Sequence, residues 1–173
     1  MSLRNVEIKT ERLLLRPIEI KYAAEIFDEF TNEITAYMFP KPSENIAGVI
    51  DFIMSSINGM EEGNNLQFVI IKKASLEFIG CSGLHNIGES DPELGVWIKK
   101  NEHGNRYGLE AITSMINWAK SNVQFEYLRY PVDRRNYSSR RIPEQNSGTI
   151  QREFKSISQN GIELDQVEYW IYK

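Results

Sequence analysis

The stretch "ELGVWIKKNEHGNRYGLEA", residues 93–111, decides how this chain folds. Its opening is apolar and strand-like, and its middle is polar with glycines at 104 and 108. Beyond it Leu109, Ile112, Met115, Ile116 and Ala119 recur at helical spacing. A strand therefore runs through a glycine corner into an amphipathic helix. The next apolar run, "FEYLRYPV" (125–132), reads as a further strand. Strand, helix, strand in that order predicts a parallel crossover. The corner itself has two readings. It is either a turn that needs glycine for steric reasons alone, or a backbone brought close to a ligand whose negative charge faces the N–H groups of a helix start.

Outward from the corner, "NLQFVIIKK" (65–73), "EFIGCSGLHNI" (77–87) and "PELGVWIKK" (92–100) are β-branched or aromatic runs parted by the turns "KASL" and "GESD". They predict an antiparallel meander of three strands. Before them, "RLLLRPI" (12–18) reads as a strand closed by Pro17. Two early helices follow: residues 21–30, with Ala24, Ile26, Phe27 and Phe30 near helical spacing, and a longer one with Ser43 as N-cap and Ile46, Val49, Ile50, Ile53, Met54 and Ile57 along it. After the crossover, "NYSSRRIPEQNSG" (136–148) predicts a capped helix that Pro143 keeps short or bent. "GTIQREFKSI" (148–157) and "DQVEYWIYK" (165–173) predict a closing hairpin around "SQNG".

With 173 residues, 41% of them apolar and 25% charged, the chain is expected to form one domain spanning residues 1–173. A net charge of −4 argues against a nucleic-acid partner, which would call for a positive surplus. The lone Cys81 excludes an internal disulfide, and in an apolar strand it reads as small core packing. His85 and His103 lack metal-ligand spacing, so no metal is expected. The N-terminal stretch has no signal-peptide core, and no apolar run approaches the roughly 18 residues of a membrane span. The expectation is a soluble, cytoplasmic protein with no membrane partner. An edge strand near the C-terminus could pair two chains into a homodimer.

The order of these elements resembles the GNAT superfamily of acetyl-CoA-dependent N-acetyltransferases, and most closely its RimJ/RimL-like branch. "TERLLLRPIE" (10–19) is similar to the branch's opening "TERLxLRP", and "FIGCSGL" (78–84) to "xIGxxGL". The opening stretch is similar to "EIGYWIxxxxxGxGxxxEA", "NYSSRRIPEQNSGTI" (136–150) to "NxxSxRxxEKxG", and "DQVEYWI" (165–171) to the closing "DxxxYxL". Two departures stand out. Arg106 takes a position where family members usually carry glycine, and Asn146 and Ser147 replace a leucine-glycine pair. Asn101 also stands where the stronger form of the family's loop begins with arginine or glutamine.

The resemblance implies a mixed α/β fold (α+β), a mostly antiparallel central sheet flanked by helices, with two neighbouring strands splayed to hold CoA. Pantetheine would bond to backbone groups of Val96, Trp97, Ile98 and Lys99. The pyrophosphate would meet the N–H groups of His103, Gly104, Asn105, Arg106, Tyr107 and Gly108. Arg106 would either pair with a phosphate or crowd it. Asn136 aligns with an asparagine near the reactive end of the cofactor, its other reading being an N-cap. Ser139 aligns with a serine that could protonate or steady the leaving thiolate, its other reading being a helix hydroxyl bonded to its own backbone.

Attack on the thioester needs a neutral amine, and alkyl amines resemble lysine, with a pKa near about 10.4. A base is therefore required. Glu93 is the first candidate, its other reading being an exposed strand carboxylate. N–H groups near Trp97 could face the oxyanion. The implied activity is transfer of acetyl from acetyl-CoA to a small-molecule or peptide amine, a ribosomal protein N-terminus among the candidates, by direct attack in a ternary complex without metal. The alternative is a non-catalytic CoA-binding or partner-binding protein on the same fold.

Overall fold

A computed structural model describes residues 2–173. Eight strands form one sheet in the order β1-β2-β3-β4-β5-β6-β8-β7. These are β1 (Ile8–Lys9), β2 (Leu13–Pro17), β3 (Asn65–Lys72), β4 (Phe78–His85), β5 (Glu93–Ile98), β6 (Tyr127–Asp133), β7 (Thr149–Ile157) and β8 (Glu163–Tyr172). Every neighbouring pair is antiparallel except β5 and β6, which are parallel. The meander, the crossover and the closing hairpin expected from the apolar runs are all present. The two-residue β1 was not anticipated, being too short to carry an alternation signal.

The helices α1 (Ala23–Glu29), α2 (Ile46–Glu62), α3 (Tyr107–Asn122) and α4 (Tyr137–Gln145) divide between the faces of the sheet. One core joins Ala111, Ile112, Met115, Ile116 and Ala119 of α3 and Ile142 of α4 to Leu66, Phe68, Ile70, Leu94, Leu128, Tyr130 and Val132. On the other face Ile26 of α1 and Val49, Ile53, Ile57 and Met60 of α2 cover Leu14, Val69, Ile71, Phe78 and Cys81. Cys81 is 2% exposed, and burial pushes its thiol well up, as core packing requires.

Two helix starts differ from expectation. α2 is capped by Asn45, not Ser43: the extended Asn45 accepts from the Gly48 N–H at 3.0 Å, while Ser43 Oγ donates to the Asn45 carbonyl. Residues 20–22 form a separate 3-10 turn, so α1 starts at Ala23; Ala23 and Ile26 point inward and Phe27 outward. Pro143 lies inside the nine-residue α4, where its missing N–H removes one intrahelical bond, and its carbonyl accepts from the N–H groups of Asn146 and Gly148 at the helix end.

Candidate active site

β5 and β6 pair at only one register position, Glu93 opposite Arg129, supported by the Arg129 N–H bonded to the Pro92 carbonyl at 2.8 Å. Beyond it the strands part. Peptide groups alternate in direction along a strand. Lys99 N–H bonds to the Ile79 carbonyl of β4 at 2.8 Å, and the Trp97 carbonyl also faces β4, against Gly80. Val96 and Ile98 are therefore the residues of β5 whose backbone groups face the gap. Of the four residues that the resemblance implied, Trp97 and Lys99 thus direct these groups at β4 instead. The Ile98 carbonyl contacts Nε2 of His103 at 2.6 Å.

At the open end of the gap stands the N-terminus of α3. Its first intrahelical bond runs from Glu110 N–H to the Arg106 carbonyl, and no side chain caps it. The N–H groups of Tyr107, Gly108 and Leu109 therefore point out of the helix end. α2 and α4, by contrast, are capped by Asn45 and Asn136. Gly104 has φ +85, which favours glycine, and Gly108 lets Ile142 of α4 close against the helix start. Both readings of the glycine corner are thus physically present: steric need at each glycine, and a bare helix end facing a cleft.

The corner is held by residues nearly a hundred positions away. Glu110 Oε1 accepts from Thr10 Oγ1 and from the Arg12 N–H, and its Oε2 accepts from Arg12 Nε at 2.7 Å. The same guanidinium donates to the Asn105 carbonyl at 3.0 Å and lies 4.5 Å over the Tyr107 ring. Two separate sequence stretches, "TERL" and "GLEA", thus form one clamp. Burial pushes Glu110 up, but its hydrogen bonds and the Arg12 charge outweigh that and hold it below the ordinary carboxylate range.

Arg106 is the residue before α3 and adopts φ +62, ψ +22, the left-handed region. Ser147 likewise has φ +63. Both of these departures from glycine therefore sit where a Cβ is disfavoured. The Arg106 side chain reaches across to α4, donating from Nη2 to Gln145 Oε1 at 2.7 Å, so it bridges α3 and α4 instead of filling the loop. A left-handed residue costs about 1–2 kcal/mol, and the extra freedom of glycine in the unfolded chain returns about 0.4–1 of it. Arg106→Gly is therefore expected to raise the melting temperature by about 2 °C in a thermal scan; a fall of that size would show that the Gln145 bridge outweighs the strain.

Glu93 is half-buried on the face of the sheet that carries Trp97 and α1. Arg129 holds three carboxylates there: Asp91 at 3.1 Å, Glu93 at 3.4 Å and Glu168 at 3.7 Å. Glu168 is 1% exposed and is also met by Arg152 and by the indole N–H of Trp170. Burial raises the Glu93 pKa, Arg129 pulls it back, and Glu168 and Asp91 push it up again, leaving it above its ordinary value. Sequence reasoning missed Arg129 and Glu168. The period-two alternation of "YLRYPVD" put Arg129 on this face, but nothing in the sequence joined it to a strand 39 residues later.

Asn136 is the N-cap of α4, its Oδ1 accepting from the Ser139 N–H at 3.2 Å. Ser139 Oγ is not bonded to its own backbone: it meets Tyr130 Oη at 2.8 Å. Glu93 and Ser139 therefore hang on adjacent residues of β6, Arg129 and Tyr130, at the point where the strands part. They lie on opposite faces of the sheet. Above the Glu93 face, residues 31–45 cross to the closing hairpin. There the Gln159 N–H bonds to the Phe39 carbonyl, and Arg135 lies over the Tyr37 ring at 5.1 Å. Phe30 packs on Trp97 at 4.9 Å. Of the four arginines in residues 133–141, Arg134, Arg135 and Arg140 are paired with Asp165, Asp133 and Glu144.

A splayed parallel strand pair with a bare helix start at its mouth is the arrangement that the sequence resemblance implied. A family model for the acetyltransferase (GNAT) domain matches residues 12–147.

The chain belongs to the GNAT acetyltransferase family.

It is an acetyl-CoA-dependent N-acetyltransferase, with acetyl-CoA as cosubstrate. It is similar to the uncharacterized N-acetyltransferase YoaA of Bacillus subtilis (strain 168), at 26% identity covering 96% of each chain. Among solved structures, it superposes on the microcin C7 self-immunity acetyltransferase MccE, in complex with acetyl-CoA and AMP, with a TM-score of 0.85 at 21% identity over 99% of each chain. The Salmonella typhimurium acetyltransferase that modifies the N-terminal serine of ribosomal protein L7/L12 gives a TM-score of 0.84 at 13% identity, over 97% of this chain and 99% of that one. Among the described residues no helix of this GNAT protein is long and apolar enough to cross a membrane. No group of three His, Cys, Asp or Glu residues in its described part is placed to hold a metal ion.

Proposed function

We propose that the chain, as one acetyltransferase domain, moves acetyl from acetyl-CoA to a primary amine by direct attack in a ternary complex. The observation that carries this reading is the single-pair contact of β5 with β6, which opens a slot through the sheet with an uncapped helix start at its mouth. Pantetheine lies along the gap-facing backbone groups of Val96 and Ile98, the Ile98 carbonyl being shared with His103 Nε2, and the pyrophosphate meets the N–H groups of residues 104–108, since that of His103 is bonded to the Lys100 carbonyl. The amine enters from the Glu93 face under residues 31–45. Its nitrogen attacks the thioester carbon, and its proton passes to Glu93 directly or through water. The C–S bond then breaks, its electron pair goes to sulfur, and the thiolate leaves on the face that carries Ser139 and Asn136.

A peptide N-terminus is the acceptor class favoured by the fold likeness to the L7/L12-modifying enzyme, with small amines second. Acetyl-CoA at about 100 times its Kd should stabilise the protein by about 2.7 kcal/mol, a rise of several degrees in a thermal-shift titration. Thiol release is then followed with serine-starting peptides and with polyamines. No thermal shift at millimolar acetyl-CoA would remove the cofactor site; a shift without thiol release from any amine would favour CoA binding without catalysis.

A further inference from the structure

Tyr130 is 3% exposed, and its ring lies in the core shared by α3 and α4. A phenylalanine would fill that space with no polar group to satisfy, yet this position carries a hydroxyl, and its hydrogen-bond partner is Ser139 Oγ at 2.8 Å. Ser139 departs from helix habit in turn. A serine in the first turn of a helix ordinarily bonds its hydroxyl to nearby backbone; here the Asn136 side chain fixes the backbone N–H of Ser139, and Tyr130 fixes its hydroxyl.

We infer that Tyr130 is a positioning residue for the leaving-group side of the reaction: its O–H donates to Ser139 Oγ and turns the serine's own proton into the gap between β5 and β6. Two hydroxyls sharing one hydrogen bond have one proton left over. Tyr130 is enclosed and Ser139 is half-exposed, so the spare proton belongs to the residue that can reach a ligand. Burial pushes the Tyr130 phenol up to about 12, with Ser139 pulling weakly the other way, so the phenol stays protonated throughout the working range and remains a donor. As the C–S bond breaks and its electron pair moves to sulfur, Ser139 O–H hydrogen-bonds the thiolate; the nitrogen's proton goes to Glu93. No further reactant is required. The inference rests on the role proposed for Ser139 above.

The test is a double-mutant cycle of Tyr130→Phe and Ser139→Ala, with thiol release and acetyl-CoA KM read for each protein alongside its melting temperature. Tyr130→Phe should lower kcat about tenfold and leave the KM for acetyl-CoA within about twofold, since the lost bond acts when charge develops on sulfur. Ser139→Ala should lower kcat at least as far, and the double variant should be no slower than Ser139→Ala. A kcat for Tyr130→Phe within about twofold of wild type, with Ser139→Ala slow, overturns the Tyr130 assignment alone. Multiplicative losses in the double variant do the same, since a core-packing role acts independently of the serine. An unchanged rate in Ser139→Ala, or no thiol release by the unaltered protein, overturns the reading of Ser139 and this inference with it.

Discussion

Glu93→Gln should lower kcat about 100-fold while the Kd for acetyl-CoA stays within a factor of about two, because a positioned general base contributes about 10²–10⁴. The substitution keeps the size of the side chain but removes both its capacity to take a proton and the charge that faces Arg129. The half-buried carboxylate sits above the ordinary glutamate range chiefly through burial, with Arg129 opposing and Glu168 and Asp91 assisting. A base must be unprotonated to act, so the wild-type rate should fall as pH drops through that raised value, at a pH above the roughly 4.3 of free glutamate. The acid limb should disappear from the residual activity of Glu93→Gln. An unchanged kcat would remove Glu93 as the base. Glu168 is the next carboxylate to alter, since it shares Arg129 with Glu93.

The largest stability effect is expected at Gly80→Ala. An added Cβ would fall on the Trp97 carbonyl, closer than real Cβ contacts come, and about 3.0 Å from the Ile98 Cα. Both neighbours are backbone of β5, so no side-chain rotation relieves the clash. β4 already carries an irregularity here, where its pairing with β3 slips between Ile70 and Ile71. The expected cost is about 3 kcal/mol or more, a fall of about 6–12 °C in melting temperature. The strand that must shift is the one whose outer edge forms the slot, so acetyl-CoA affinity should fall with it. A melting temperature within about 2 °C of wild type would mean that the sheet can open at β4–β5 without strain.

Much of the fold was legible because each element obeyed one local rule. The β-branched and aromatic run of "NLQFVIIKK", the helical spacing after Tyr107 and the turn "SQNG" each named their element and, with chain order, the mixed sheet. The N-cap of α2 was misread because Ser43 and Asn45 are both good caps; the choice between them depends on which oxygen reaches the Gly48 N–H. In the candidate site, sequence pattern pointed to the glycine corner, while Glu93, Asn136 and Ser139 were implied by the family resemblance. What it did not carry were pairings at long separation: Thr10 and Arg12 with Glu110, Arg129 with Glu168, Tyr130 with Ser139. Each is a contact between residues whose own neighbours look ordinary. The direction of each peptide group in β5 was equally hidden, since it depends on the register with β4.

The clamp of Thr10, Arg12 and Glu110 on the loop before α3 has a consequence for how the cofactor arrives. A loop that must find its shape around a phosphate loses conformational freedom at the moment of binding and gives up affinity in proportion. Here the Asn105 carbonyl and the Tyr107 ring are held by Arg12, the residue before β2, through contacts internal to the protein, so that loss is taken during folding. On the function proposed above, acetyl-CoA would meet a preorganised seat, and the protein's own folding cooperativity would extend into its binding site.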